Sequence, residues 1–69
     1  MYTREITHEG VTMELHYEWA DTGEYHETPD IEYLRLYFVY VGDYDIIDLL
    51  SESVKERITM NLYSELENY

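Results

Sequence analysis

A chain of 69 residues with a formal net charge of −12 is a single small domain, residues 1–69, with no room for a second core. Its sixteen carboxylates face only four basic side chains, Arg4, Arg35, Lys55 and Arg57. That imbalance repels phosphate backbones and anionic lipid and so excludes direct nucleic-acid and membrane-surface binding. Cysteine is absent, which excludes disulfides and thiolate metal sites, so stability must come from dense packing or self-association.

The segment Met1-Tyr2-Thr3-Arg4-Glu5 lacks the charged-then-apolar layout of a secretory signal. The longest uncharged apolar run, Leu36 to Val41, falls far short of the ~20 residues that span a bilayer. A cytoplasmic protein is expected, in the host cytoplasm if the source is viral.

Tyr2 to Thr7 reads as a first strand, and His8-Glu9-Gly10 as a short link with glycine where a positive φ is needed. Val11, Met13, Leu15, Tyr17 and Trp19 then alternate with Thr12, Glu14, His16 and Glu18. This strict period of about two predicts a half-buried strand, the second arm of a hairpin. Asp21 to Asp30 carries turn formers without periodicity and reads as a loop. Pro29 holds Thr28 extended and launches a long strand, Ile31 to Val41. Regular alternation there points Leu34, Leu36, Phe38 and Tyr40 one way, and Tyr33, Arg35, Tyr37, Val39 and Val41 the other. Apolar residues on both faces imply a strand covered on both sides, one of them by a second copy of the chain.

Gly42-Asp43 signals a turn, after which Tyr44 to Ile47 either adds a fourth strand or leads into a helix. Asp48 and Ser51 both qualify as the helix N-cap. From there Leu50, Val54, Ile58, Leu62 and Leu66 recur at helical spacing and form one apolar stripe. Glu52 suits the N-terminal end of the helix dipole, whereas Glu65 and Glu67 oppose it at the other end. The expected fold is α+β: a three-stranded antiparallel sheet, four-stranded if Tyr44 to Ile47 joins it, with a C-terminal helix packed on one face.

Chemistry-bearing motifs are few. Serines fall only at 51, 53 and 64, away from any histidine in sequence, and no G-x-S-x-G, P-loop or G-x-G-x-x-G occurs. The reading is non-enzymatic, with no cofactor. His16 between Glu14 and Glu18 is the nearest approach to a metal site, but no His-x-x-x-His pair or D-x-D-x-D-G loop accompanies it. An imidazole there also softens a repulsive carboxylate row.

Two surfaces remain. Glu14 and Glu18 stand on the polar face of one strand, Glu5 joins them if the hairpin register aligns, and Glu24, Glu27 and Asp30 crowd the neighbouring loop. Tyr33 and Tyr37, at i and i+4 with Arg35 between them, form an aromatic set of the type enriched at binding hot spots.

Size, charge, the nine tyrosines and the lack of cysteine together resemble small acidic bacteriophage proteins, including those that inhibit restriction or CRISPR systems by imitating the charge of DNA. The run Gly42-Asp43-Tyr44-Asp45-Ile46-Ile47-Asp48-Leu49-Leu50-Ser51-Glu52 also resembles the strand-turn-helix junction of short phage proteins. The resemblance implies an inhibitor or regulator that docks on a basic, nucleic-acid-binding surface of a host protein. Glu5, Glu14, Glu18, Glu24, Glu27 and Asp30 would then make the contacts, with Tyr33 and Tyr37 as anchors there or at a homodimer interface. The competing expectation is a small homodimeric accessory or structural protein whose acidity confers only solubility.

Overall fold

A computed structural model describes residues 1–20 and 31–67 of the chain. Strands β1 (Tyr2–His8) and β2 (Val11–Trp19) pair antiparallel from Tyr2↔Tyr17 to His8↔Val11. Glu9 and Gly10 connect them with φ of 50° and 82°. Positive φ at both central residues is the requirement of a type I′ turn, whose twist matches that of the flanking strands. Glycine meets it freely; Glu9 meets it at a steric cost.

The sheet continues to β3 (Leu34–Val41) and β4 (Tyr44–Asp45), giving four antiparallel strands in the order β1-β2-β3-β4. The fourth strand thus forms, though only two residues long. Gly42, with φ 62°, opens the turn between β3 and β4. Asp45 then pins the chain as it leaves the sheet. Its Oδ1 accepts from the amides of Val39 (3.2 Å) and Ile47 (3.1 Å), while the amide of Ile46 donates to the Val39 carbonyl (2.7 Å).

Two features of the third strand differ from the sequence expectation. Ile31–Tyr33 is a 3₁₀ turn, so the strand starts only at Leu34. The Ala20 amide donates to the Tyr33 carbonyl (2.6 Å), and the Arg35 guanidinium turns back onto the carbonyls of Glu32 and Leu34. These bonds satisfy backbone groups at the point where the ladder begins. The second difference is a register shift. Tyr17 pairs with Leu36 but His16 pairs with Phe38, leaving Tyr37 as an extra residue with no partner on β2.

Such a bulge resets the alternation of the strand. Leu34 and Leu36 before it, and Val39 and Val41 after it, all face inward, opposite Trp19, Tyr17 and Leu15 on β2 or packed on the core. Phe38 and Tyr40 therefore turn outward, contrary to the regular alternation that grouped them with Leu34 and Leu36. The aliphatic residues of β3 thus share one face across the phase change, while Phe38 and Tyr40 leave aromatic surface on the other.

After a second 3₁₀ turn, Ile47–Leu49, helix α1 spans Glu52–Glu67. Ser51 is the N-cap: its Oγ accepts from the Val54 amide (3.2 Å) and its carbonyl accepts from the Lys55 amide (2.9 Å). Asp48 sits inside the 3₁₀ turn instead. The predicted stripe packs as expected on the sheet. Ile58 and Leu62 are fully enclosed with Ile6, Met13, Leu15, Tyr17, Leu34 and Val39, and Leu50, Val54 and Leu66 close the margin. Trp19 meets the helix edge-on through Tyr63, ring centroids 6.4 Å apart. Burial pushes the Tyr17 hydroxyl pKa up, with the Arg4 charge opposing and Tyr2 adding to the rise.

Candidate protein-docking surface

The helix covers one face of the sheet, and no described element crosses the other. Cross-strand register sets out the residues of this outer face in rows. Glu5, Glu14 and Tyr40 form one row across β1, β2 and β3, with Thr3, His16 and Phe38 in the next. Thr7 and Thr12 lie beyond the first row, with hydroxyls 3.2 Å apart, and Glu18 lies beyond the second, opposite Arg35.

At the centre is an aromatic cluster. The His16 ring stands 5.0 Å from Tyr40 and 5.9 Å from Phe38 between centroids, perpendicular to the latter, and Phe38 and Tyr40 are 6.1 Å apart. These are the separations at which ring quadrupoles attract. Phe38 nonetheless keeps 38% of its surface exposed. His16 Nε2 bonds Glu14 Oε2 at 2.7 Å, tying the cluster to the carboxylate row.

The charges divide unequally between the faces. Arg4 pairs with Glu65 of the helix (3.7 Å), Arg57 with Glu9 (3.7 Å) and Lys55 with Glu52 (3.0 Å), so three of the four basic side chains serve the helix side. On the outer face Glu18 takes the N-terminal ammonium (2.8 Å) and Glu14 takes His16. Among the described residues Glu5 has no ion-pair partner, and it lies directly opposite Glu14. Like charges so placed destabilise the pairing of two strands. Counted by position alone, the carboxylates are not gathered on one side, for Glu52, Glu56, Glu65 and Glu67 line the helix. What distinguishes the outer face is that, among the described residues, no Lys or Arg side chain forms an ion pair there, beside an exposed aromatic cluster.

Of the residues singled out from sequence, Glu5, Glu14 and Glu18 come together on this face. Glu24, Glu27 and Asp30 lie outside the described residues. Tyr33 and Tyr37 do not form a pair on one strand face: Tyr33 is half-buried in the 3₁₀ turn, and Tyr37 occupies the bulge, 49% exposed. The aromatic residues on the outer face are instead Phe38 and Tyr40. Alternation could not find them, because the bulge moves them from one face to the other.

A concavity of about 590 Å³ opens between β3 and α1. Ile31, Leu34, Leu36 and Met60 supply its apolar lining, and Glu32, Glu52, Glu56 and Lys55 are among its polar groups. Among the described residues its lining holds no histidine or serine, and its hydroxyl is that of Thr59, which bonds the Lys55 carbonyl at 2.7 Å. Among the described residues no group of three or more His, Asp or Glu is placed to hold a metal ion, and no helix is long and apolar enough to cross a membrane. Comparisons with protein-family models, with curated proteins and with solved structures find no match to this chain.

Proposed function

We propose that the protein is a non-enzymatic inhibitor or regulator that docks the outer face of its sheet on a basic, nucleic-acid-binding surface of another protein, as acidic phage inhibitors do. The observation that carries this reading is the juxtaposition of Glu5 and Glu14, opposite one another on β1 and β2, with the exposed Phe38–Tyr40 cluster. Carboxylates held against each other without a Lys or Arg partner gain from an incoming cation, and exposed rings supply the apolar area that makes an anchor. The net charge of −12 adds long-range attraction to any basic surface.

Pairing of this face with itself is the less favourable use. A two-fold contact presents the same patch from both copies, so the carboxylates Glu5, Glu14 and Glu18 of one copy would be brought against the carboxylate-bearing face of the other. Charge complementarity favours a basic partner over a second copy.

The test is capture from bacterial lysate on immobilised protein at about 50 mM salt, followed by washing at about 200 mM, where screening weakens charge-driven contacts. Basic nucleic-acid-binding proteins should be retained at the lower salt and released at the higher. They should be lost from the Glu5→Gln/Glu14→Gln variant, and the wild type should block their binding to DNA or RNA. Equal capture by wild type and variant would sink the reading, as would capture without any effect on nucleic-acid binding.

A further inference from the structure

We propose that the outer face recognises an arginine of its partner, with the guanidinium lying against Phe38 and Tyr40 and bonding to Glu5 and Glu14. This inference rests on the docking reading and adds the chemistry of the anchoring group.

The chain supplies its own indication of what this place holds. His16 is a planar, nitrogen-bearing ring set among Phe38 and Tyr40, with one nitrogen 2.7 Å from a Glu14 carboxylate oxygen. A guanidinium asks for the same surroundings: an aromatic face for its flat surface and carboxylate oxygens for its edge. The cross-strand register supplies both, because Glu5, Glu14 and Tyr40 share one row and Phe38 stands in the next. His16 engages only Oε2 of Glu14, and Glu5 has no ion-pair partner among the described residues. Among the described residues carboxylate oxygen therefore remains uncommitted beside the rings, and the exposed 38% of Phe38 is the area a planar cation would cover.

Arginine is favoured over lysine by geometry. A lysine ammonium is a strongly hydrated point charge that any carboxylate attracts, and Glu52, Glu56, Glu65 and Glu67 offer it as much on the helix. A planar, delocalised cation gains more than an ammonium where rings and carboxylates stand together, because its face stacks on a ring while its edge bonds carboxylate oxygens. The outer face sets Phe38 and Tyr40 beside Glu5 and Glu14 in adjoining cross-strand rows. Discrimination between the two cations is thus the signature of this site; attraction to basic residues in general is not.

Two acetylated and amidated hexapeptides, one of arginine and one of lysine, provide the probe, titrated into isotope-labelled protein at about 50 mM salt and followed residue by residue by NMR. The arginine peptide should perturb Glu5, Glu14, Phe38 and Tyr40 and bind about two- to fivefold tighter than the lysine peptide, the range of an exposed cation–π contact. Phe38→Leu and Tyr40→Leu keep apolar volume but remove the rings. Each should reduce that preference by weakening arginine binding more than lysine binding, and retained spectral dispersion reports that the variant is folded. Equal affinity for the two peptides, or a preference unchanged in both leucine variants, overturns the arginine proposal and leaves the docking reading standing. Absence of any perturbation on the outer face with either peptide overturns both.

Discussion

Single residues hold unequal shares of the strain in this fold, and the turn between the first two strands shows why. Glu9 adopts φ 50° although its side chain favours the right-handed region. Its carboxylate lies 3.7 Å from Arg57 and 3.9 Å from His8 and is 69% exposed, so these contacts are worth little. Asparagine tolerates the left-handed conformation, and Asn-Gly is the preferred pair for a type I′ turn. Glu9→Asn is expected to raise stability by about 1 kcal/mol, read as a higher urea midpoint with an unchanged slope. Tyr17 gives a second prediction at this scale. Its pKa is raised in the folded state by burial, so above the unfolded value near 10 the native chain binds more protons than the unfolded one. Its contribution is fully present below pH ~10 and is lost as pH rises through the higher folded value. Tyr17→Phe should flatten the decline of the urea midpoint above about pH 10. An identical decline in the variant would place the alkaline sensitivity in the other tyrosines.

At the scale of elements the bulge in β3 is the decisive feature, because it chooses which apolar residues enter the core. Removing Tyr37 would leave Leu34, Leu36, Val39 and Val41 in one unbroken alternation, with Arg35, Phe38 and Tyr40 on the other side. Deletion of Tyr37 is therefore expected to preserve the fold and the outer face, with a stability change below about 2 kcal/mol, the ordinary range for single changes outside the core. A dispersed NMR spectrum retaining the cross-strand contacts Leu15–Val39 and His16–Phe38 would bear this out; a collapsed one would show that the bulge itself holds the sheet together. The same strand marks where sequence reasoning stops. In β2 and α1 polar residues break the apolar ones at a single period, so Met13, Leu15 and Tyr17, and Ile58 and Leu62, were legible as core. From Leu36 to Val41 both phases are apolar, so nothing local fixes where the phase changes. Pairing with β2 decides it, and the start of the strand is likewise set at long range, where the Ala20 amide bonds the Tyr33 carbonyl at the end of the 3₁₀ turn. The carboxylates of the outer face were readable from β1 and β2, but its aromatic partners came from β3 and were not.

For the whole molecule, charge sets stability against binding, and Glu5 is where the two separate most cleanly. A small core supplies only about 3–5 kcal/mol, and a net charge of −12 lowers that through self-repulsion. Salt should therefore stabilise the isolated protein while weakening its hold on a basic partner. Replacing Glu5 by lysine turns the like-charge pair with Glu14 into an opposite-charge one across the same two strands. The gain expected from such a cross-strand pair is about 0.2–1 kcal/mol, seen as a higher urea midpoint whose rise with salt is smaller than in wild type. The same substitution puts a cation where a partner's arginine would sit and should abolish the perturbation of Phe38 and Tyr40 by the arginine peptide. Glu56→Lys, on the helix and away from the rings, changes net charge equally and serves as the control. It should weaken peptide binding only modestly and leave the preference for arginine intact. If both substitutions weakened binding alike, net charge alone would govern the interaction and the outer face would lose its special standing; opposite shifts in stability and binding from Glu5→Lys alone would place the site between β1, β2 and β3.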